Sequence, residues 1–152
     1  MQKSLLLLVT SGLLAATSCQ QRDDEVRPSN YDALALETGH WEWESTAYMG
    51  GPRTPATQGF TRQLIFEANG QVLIYHGGQL NKQTAYVLSM GTVCGASSTV
   101  PVITYETDSD VPNNDRKTYS ITKTPTGQSL SLVGEAACLD GGGYETYHWV
   151  KD

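Results

Sequence analysis

His40, His76 and His148 could ligate a metal, Cys94 and Cys138 could bond to each other or attack a substrate, and Glu42 with Glu44 could act as paired carboxylates. Each chemistry demands a spacing. A locally built zinc site needs motifs such as His-x-x-x-His or Cys-x-x-Cys. Neither occurs, so a metal would require the three single histidines to converge in the fold. They are expected at the rim or on the surface, with no metal held. The run Asp108-Ser109-Asp110-Val111-Pro112-Asn113-Asn114-Asp115 offers the clustered oxygens that hard cations want. It departs from the calcium-loop template, because Pro112 takes the third ligand position and the required glycine is missing. A solvated hairpin loop is the expectation there. Glu42 and Glu44 share a strand face opposite Trp41 and Trp43, which turns both toward water. The Gly-x-Ser-x-Gly, phosphate-loop and dinucleotide patterns do not occur. Nor does a Cys-His-Asn spacing support a thiol nucleophile. No catalytic residue, no cofactor and no enzymatic activity are expected.

With Cys19 set apart, Cys94 and Cys138 form an even pair, and a disulfide is the economical reading in an exported chain. The bridge is expected to tie two loops, Gly95-Ala96-Ser97-Ser98 and Asp140-Gly141-Gly142-Gly143, at one end of the fold. On the chain-entropy account a closure of this length stabilises by about 4 kcal/mol.

The elements that must position these groups are short strands. His40 to Met49 alternates, with Trp41, Trp43, Ala47 and Met49 on one face and Glu42, Glu44 and Thr46 on the other. Gly50 to Gly59 reads as a loop. Phe60, Leu64 and Phe66 share a face in the next strand, and Asn69-Gly70 between two alternating runs is a strong hairpin signal. Val72, Ile74 and His76 follow, ending at Gly77-Gly78; Thr84, Tyr86, Leu88 and Met90 alternate within Gln83 to Met90. Val100 to Glu106 is rich in residues suited to a pleated surface. Tyr119 and Ile121 mark a strand over Lys117 to Lys123, Pro125-Thr126-Gly127 a turn, Leu130 and Leu132 the next strand, and Tyr144 to Val150 the last. Past residue 30, helical spacing is confined to a turn around Tyr31 to Leu36. The fold class predicted is all-β: a small eight-stranded antiparallel up-and-down barrel, in which closure removes exposed edges.

Gly39-His40-Trp41 at the first strand, Thr61 to Phe66 with Asn69-Gly70, and Tyr-rich closing strands together resemble the lipocalin-like domains of small Gram-negative lipoproteins. The resemblance covers about residues 39–152. It implies a barrel that binds a small apolar or amphipathic ligand. Trp41, Trp43, Phe66, Tyr86, Tyr119, Tyr147 and Trp149 are the candidates for its interior. An eight-stranded barrel holds either packed side chains or one small ligand, and seven large aromatics would fill much of it. A mostly filled barrel with a shallow mouth is therefore expected.

Ahead of the barrel lies an address. Lys3 precedes the apolar run Leu5-Leu6-Leu7-Leu8-Val9 and Leu13-Leu14-Ala15-Ala16, too short to span a bilayer. Ala16-Thr17-Ser18-Cys19 then resembles a bacterial lipobox, whose cysteine is acylated and becomes the mature N-terminus. Residues 1–18 are thus read as a lipoprotein signal peptide, 19–36 as the lipidated Cys19 with a polar tether, and 37–152 as the barrel. Acyl chains on Cys19 would hold the protein on a membrane. Gln20 beside the cysteine, by the same resemblance, favours outer-membrane sorting, and the cluster Asp23-Asp24-Glu25 resembles a surface-export signal. An outer-membrane lipoprotein facing the cell surface or the periplasm is expected.

Composition sets the outer bounds. At 152 residues the chain holds one ordinary domain. Ten Lys and Arg against 16 Asp and Glu give a net charge of −6, the wrong sign for tracking nucleic-acid phosphates. Charged residues make up only 17%, with 15 Gly and 8 Tyr, which excludes a coiled coil and a charge-driven disordered chain. A monomer is expected, partnered by the membrane through Cys19 and by either a small apolar ligand or an envelope protein. In the second case the barrel would be a protein-binding module, such as an inhibitor of an envelope hydrolase. It would then use the loops Gly50 to Gln58 and Ser109 to Arg116.

Overall fold

The computed structural model describes residues 32–35, 38–95, 97–107, 115–139 and 143–152. The leader, Cys19 and the tether up to residue 31 lie outside the described residues, as does most of the acid-rich loop. Eight strands close into one antiparallel barrel in chain order: β1 Gly39–Ala47, β2 Arg62–Phe66, β3 Gln71–His76, β4 Gln79–Gly91, β5 Val100–Tyr105, β6 Arg116–Thr124, β7 Gly127–Gly134 and β8 Tyr144–Lys151. β1 pairs with both β2 and β8, so the described sheet has no free edge. This is the all-β, eight-stranded architecture that the strand spacing predicts.

Period-two alternation decides which side chains turn inward. Trp41 and Trp43, Leu64 and Phe66, Val72 and Ile74, Leu130 and Leu132 are all buried within one core cluster. The first strand departs from its predicted pattern past Trp43. Trp43 lies opposite Tyr147 and Ser45 opposite Thr146, so Glu44 is an extra residue in a β-bulge. The bulge exchanges the faces: Thr46 turns inward and accepts a hydrogen bond from Trp43 Nε1 at 2.9 Å, while Ala47 and Met49 are exposed.

β4 is also longer than predicted. Gly77 and Gly78, at φ +56° and +79°, form a two-residue turn that no β-branched residue would enter, so the strand begins at Gln79 rather than Gln83. A second irregularity, with Ile74 opposite Lys82 and Tyr75 opposite Leu80, accommodates the added length.

Connections in such a meander alternate between the two ends of the barrel. One end is closed. Near it the 3-10 helix Asp32–Leu34 packs a fully buried Leu34 against the core, and its carbonyl accepts from Trp41 Nε1 at 3.4 Å. The opposite end carries the β1–β2, β3–β4, β5–β6 and β7–β8 connections, and is the open end.

The predicted disulfide forms between Cys94 and Cys138. It does not tie two loops at one end, because Cys94 follows β4 and Cys138 follows β7, connections that leave opposite ends of the barrel. The bridge instead runs along the outer wall. Val102 and Ile103 are adjacent on β5 and both have no exposure, so both faces of that strand are covered. Val93, Ala136 and Ala137 are buried in the same two connections. Arg116 reinforces the strap, donating to the Thr92 carbonyl at 3.2 Å and pairing with Glu135.

Candidate functional site

The open half of the barrel interior is polar. Glu145 is the second residue of β8, Lys117 the second of β6, Arg62 the first of β2, His76 the last of β3 and Tyr105 the last of β5. Each therefore lies at a strand end on the open side, and alternation turns it toward the axis. Lys117 Nζ donates to Glu145 Oε1 at 2.8 Å, with side chains only 2% and 5% exposed. Tyr147 donates its hydroxyl to Glu145 Oε2 at 2.8 Å. Lys117 Nζ also lies 5.5 Å from the centre of the Tyr105 ring, and Arg62 interacts with both Glu145 and Tyr147.

Burial and charge oppose each other here. Burial penalises the charge on Lys117, but attraction to Glu145, helped by Tyr105, outweighs it and holds the ammonium above its usual range. Glu145 likewise suffers from burial, yet Lys117 and Arg62 hold its carboxyl below the usual carboxylate range. Burial pushes the Tyr105 phenol up to about 12. Burial, with Glu145 beside it, pushes Tyr147 well above 10 as well. At neutral pH the group is thus one ammonium, one guanidinium, one carboxylate and two neutral phenols. A buried ion pair of this kind is weak as a stabilising device, since desolvation offsets most of the attraction.

Above the ion pair stands an aromatic stack. Phe60 lies between Trp43 and His76, with ring centres 6.0 and 5.1 Å apart and planes 20° and 29° from parallel. The Arg62 guanidinium sits 5.2 Å over Trp43. Phe60, Arg62 and His76 are each partly exposed. The ring stack and Arg62 thus lie at the same end of the barrel as the buried Lys117–Glu145 pair. At the rim Lys82 and Glu106 neutralise each other at 2.6 Å.

The seven aromatics named from sequence divide between the two halves. Trp41, Trp43, Phe66, Tyr119 and Tyr147 are buried in the core cluster, and Tyr86 and Trp149 pack against it partly buried. Trp41 meets Trp149 edge-on at 5.0 Å, and Phe66 meets Tyr86 and Tyr105 edge-on at 5.2 and 6.2 Å. The Trp41–Trp149 and Phe66–Tyr86 contacts lie in the closed half, and Phe66–Tyr105 joins it to the polar group. Of the seven, Trp43 lies under Arg62, Tyr147 bonds to Glu145 and Phe66 meets Tyr105. Lys117, Glu145, Arg62 and Tyr105 were not among the candidates, although a signal existed. Lys117 stands at period two from Tyr119 and Ile121, Glu145 from Tyr147 and Trp149, and Arg62 from Leu64 and Phe66. A charge in register with an apolar face marks an inward charge.

The histidines are spread over the barrel. His40 lies 3.5 Å from Asp152, His76 stacks at the mouth, and His148 sits on the outer face at 3.3 Å from Glu44 and 3.9 Å from Glu42. Among the described residues no three His, Cys, Asp or Glu side chains converge as a metal site. Of the acid-rich loop only Asp115 is described; its carboxylate accepts from the backbone and hydroxyl of Thr107 at 2.9 and 3.0 Å.

The β1–β2 loop is braced rather than loose. Thr46 and Arg53 form a two-hydrogen-bond bridge, Arg53 lies 4.4 Å over the Tyr48 ring, and a short helix α1, Pro55–Gln58, is capped by reciprocal Thr54–Thr57 bonds. Its tip displays Met49 at 83% exposure. Comparison with known proteins found no matching family model, no matching curated protein and no matching solved structure.

Proposed function

We propose that this chain is a membrane-anchored envelope lipoprotein, held at the outer membrane by acyl chains on Cys19. Its lipocalin-like barrel would bind a small amphipathic ligand at the open mouth. The observation that carries this reading is the half-and-half interior. Apolar side chains pack one end, while the other end keeps a costly ion pair under a partly exposed ring stack. Strongly shifted ionisable groups are a common mark of a functional site. Binding suits this one better than proton transfer, because its acid, base and phenols are all held far from neutral pH. The packed closed half limits the ligand to a short tail.

The deciding experiment is native mass spectrometry of the mature chain, extracted in detergent and exposed to a total lipid extract. A retained mass beyond the acylated protein supports a carrier or sensor, and its value identifies the ligand class. A chain that retains nothing overturns the reading.

A second reading rests on the braced β1–β2 loop. Tyr48, Met49 and Arg53, with half-exposed Tyr144 opposite Ala47 on the neighbouring strand, are residue types enriched in protein interfaces. That rim supports a module binding an envelope protein, such as a hydrolase, and crosslinking from Met49 in whole cells tests it.

A further inference from the structure

We infer that the outer wall of the barrel carries a second binding site, separate from the mouth, for an uncharged sugar ring. The observation behind it is a half-open cleft of about 360 Å³ on the outside of β7, β8 and β1. Alternation builds its floor. Leu130 and Tyr147 turn inward, so Ser129 and His148, opposite each other on β7 and β8, turn outward. Glu42 lies opposite His148 on β1, and the bulge adds Glu44 on the same side. Thr124 and Thr126, flanking the β6–β7 turn, form one wall, and Gln128 and Trp149 line the cleft toward the closed end. The volume falls at the lower end of the range for small-molecule sites, about 300–1,000 Å³.

Every side chain in this lining can hydrogen-bond, which makes it a poor surface for an apolar tail. Some already have partners. Thr124 and Thr126 share a bond at 3.3 Å, and His148 lies 3.3 Å from Glu44 and 3.9 Å from Glu42. Gln128 and Ser129 are partly buried, yet among the described residues their side chains have no hydrogen-bond partner. A ligand must therefore serve both senses of bond. Gln128 offers donors and an acceptor, Ser129 acts either way, and Glu44 only accepts. An ammonium donates only and leaves the Gln128 donors unmet. A carboxylate accepts only and faces Glu44, and among the described residues no Lys or Arg lines the cleft to offset that repulsion. A ring of hydroxyls donates and accepts at once. Trp149 adds apolar wall for the carbon face of such a ring. It is held in place by Trp41, which meets it edge-on at 5.0 Å, and by the close approach of Gly39. A free sugar and the terminal unit of a glycan share this chemistry.

The test is nuclear magnetic resonance of the full mature chain, isotope-labelled, in a polyoxyethylene detergent that has no sugar head. The 3 tryptophans each give one indole signal, and Trp149→Phe identifies that of Trp149. D-Glucose, D-galactose, D-mannose and N-acetyl-D-glucosamine are added at millimolar concentrations, each free and as the end of a trisaccharide. At least one should shift the Trp149 signal saturably and leave that of Trp43, at the mouth, in place. Tighter binding of the trisaccharide marks a glycan end and tighter binding of the free sugar a soluble ligand; either supports the site. D-Glucuronate and D-glucosamine, charged forms of the same ring, should bind more weakly than the best neutral sugar. Gln128→Ala should weaken that sugar about fivefold, as expected for a neutral hydrogen bond, and Glu44→Gln about tenfold, for a charge-assisted one. If Glu44→Gln disturbs the bulge and does not fold, Gln128→Ala, which lies outside it, decides. The mouth is a separate site, so its binding stands or falls independently of these results. No shift with any of the sugars, a preference for either charged form, or an affinity unchanged in Gln128→Ala overturns the inference.

Discussion

Lys117 Nζ donates to Glu145 Oε1 at 2.8 Å across the barrel interior, and both side chains are almost wholly removed from water. The pair joins β6 to β8 over β7, where Lys117 lies opposite Gly134 and Glu145 opposite Leu132. Removing one partner strands the other charge, so Lys117→Met or Glu145→Gln alone should each lower stability by about 3–5 kcal/mol. The double variant Lys117→Met/Glu145→Leu should recover most of that loss or exceed the parent. Urea unfolding of the four proteins measures this, and additive losses in the double variant would show that the pair is not coupled.

Stability should depend on pH at both extremes. Glu145 is held below its ordinary 4.5, so its contribution is complete above that pH and is lost as pH falls through the native value. Lys117 is held above 10.5, so its contribution is complete below that pH and declines above it. The raised phenols of Tyr105 and Tyr147 act in the same direction: their contribution is present below pH 10 and lost above it. A plateau across neutral pH with losses on both sides is expected. Phenolate absorbance checks the alkaline side, since Tyr105 should ionise near 12 or on unfolding. Ionisation of every tyrosine near 10 in a folded barrel would refute its burial.

The Cys94–Cys138 strap joins connections from opposite ends of the barrel, so it should contribute stability beyond either loop alone. Cys94→Ser should lower the melting temperature under oxidising conditions, by the equivalent of about 2–4 kcal/mol, and leave it unchanged in reductant. Equal melting of parent and variant in both conditions would show that the bridge is not made.

Gly39 meets a constraint that only glycine satisfies. Its φ is +150°, and a Cβ there would lie 2.3 Å from the Val150 carbonyl oxygen and 2.7 Å from the Trp149 ring. Gly39→Ala should therefore cost about 1–3 kcal/mol or more, visible in thermal melts. The contact gives the Gly-x-Trp opening a physical role: the glycine admits Trp149, which meets Trp41 edge-on.

The proposed anchor has its own readout. Palmitate fed to cells should label the parent chain and not Cys19→Ala. Label on both would place the acyl chain elsewhere.

Period-two alternation, the Asn69-Gly70 and Gly77-Gly78 turns, and the even spacing of apolar runs determined an eight-stranded antiparallel meander from the sequence alone. These are local properties: each depends on which residues tolerate a pleated surface or a positive φ, and Gly70 does adopt φ +84°. The cysteine pairing was equally legible, because two cysteines past the tether leave one partner each. What the local pattern could not carry was anything that depends on closure. The bulge at Glu44 is set by the pairing of β1 with β8, the first and last strands, and it alone turned Thr46 inward and Met49 outward. The disulfide changed from a tie at one end to a strap along the wall because both connections fold back over the outside of β5 and its neighbours. Above all, only tertiary structure brought Lys117, Glu145 and Arg62 together. They lie on three strands far apart in the chain, and a charge becomes an interior group only when its counter-charge arrives from another strand to offset the loss of water.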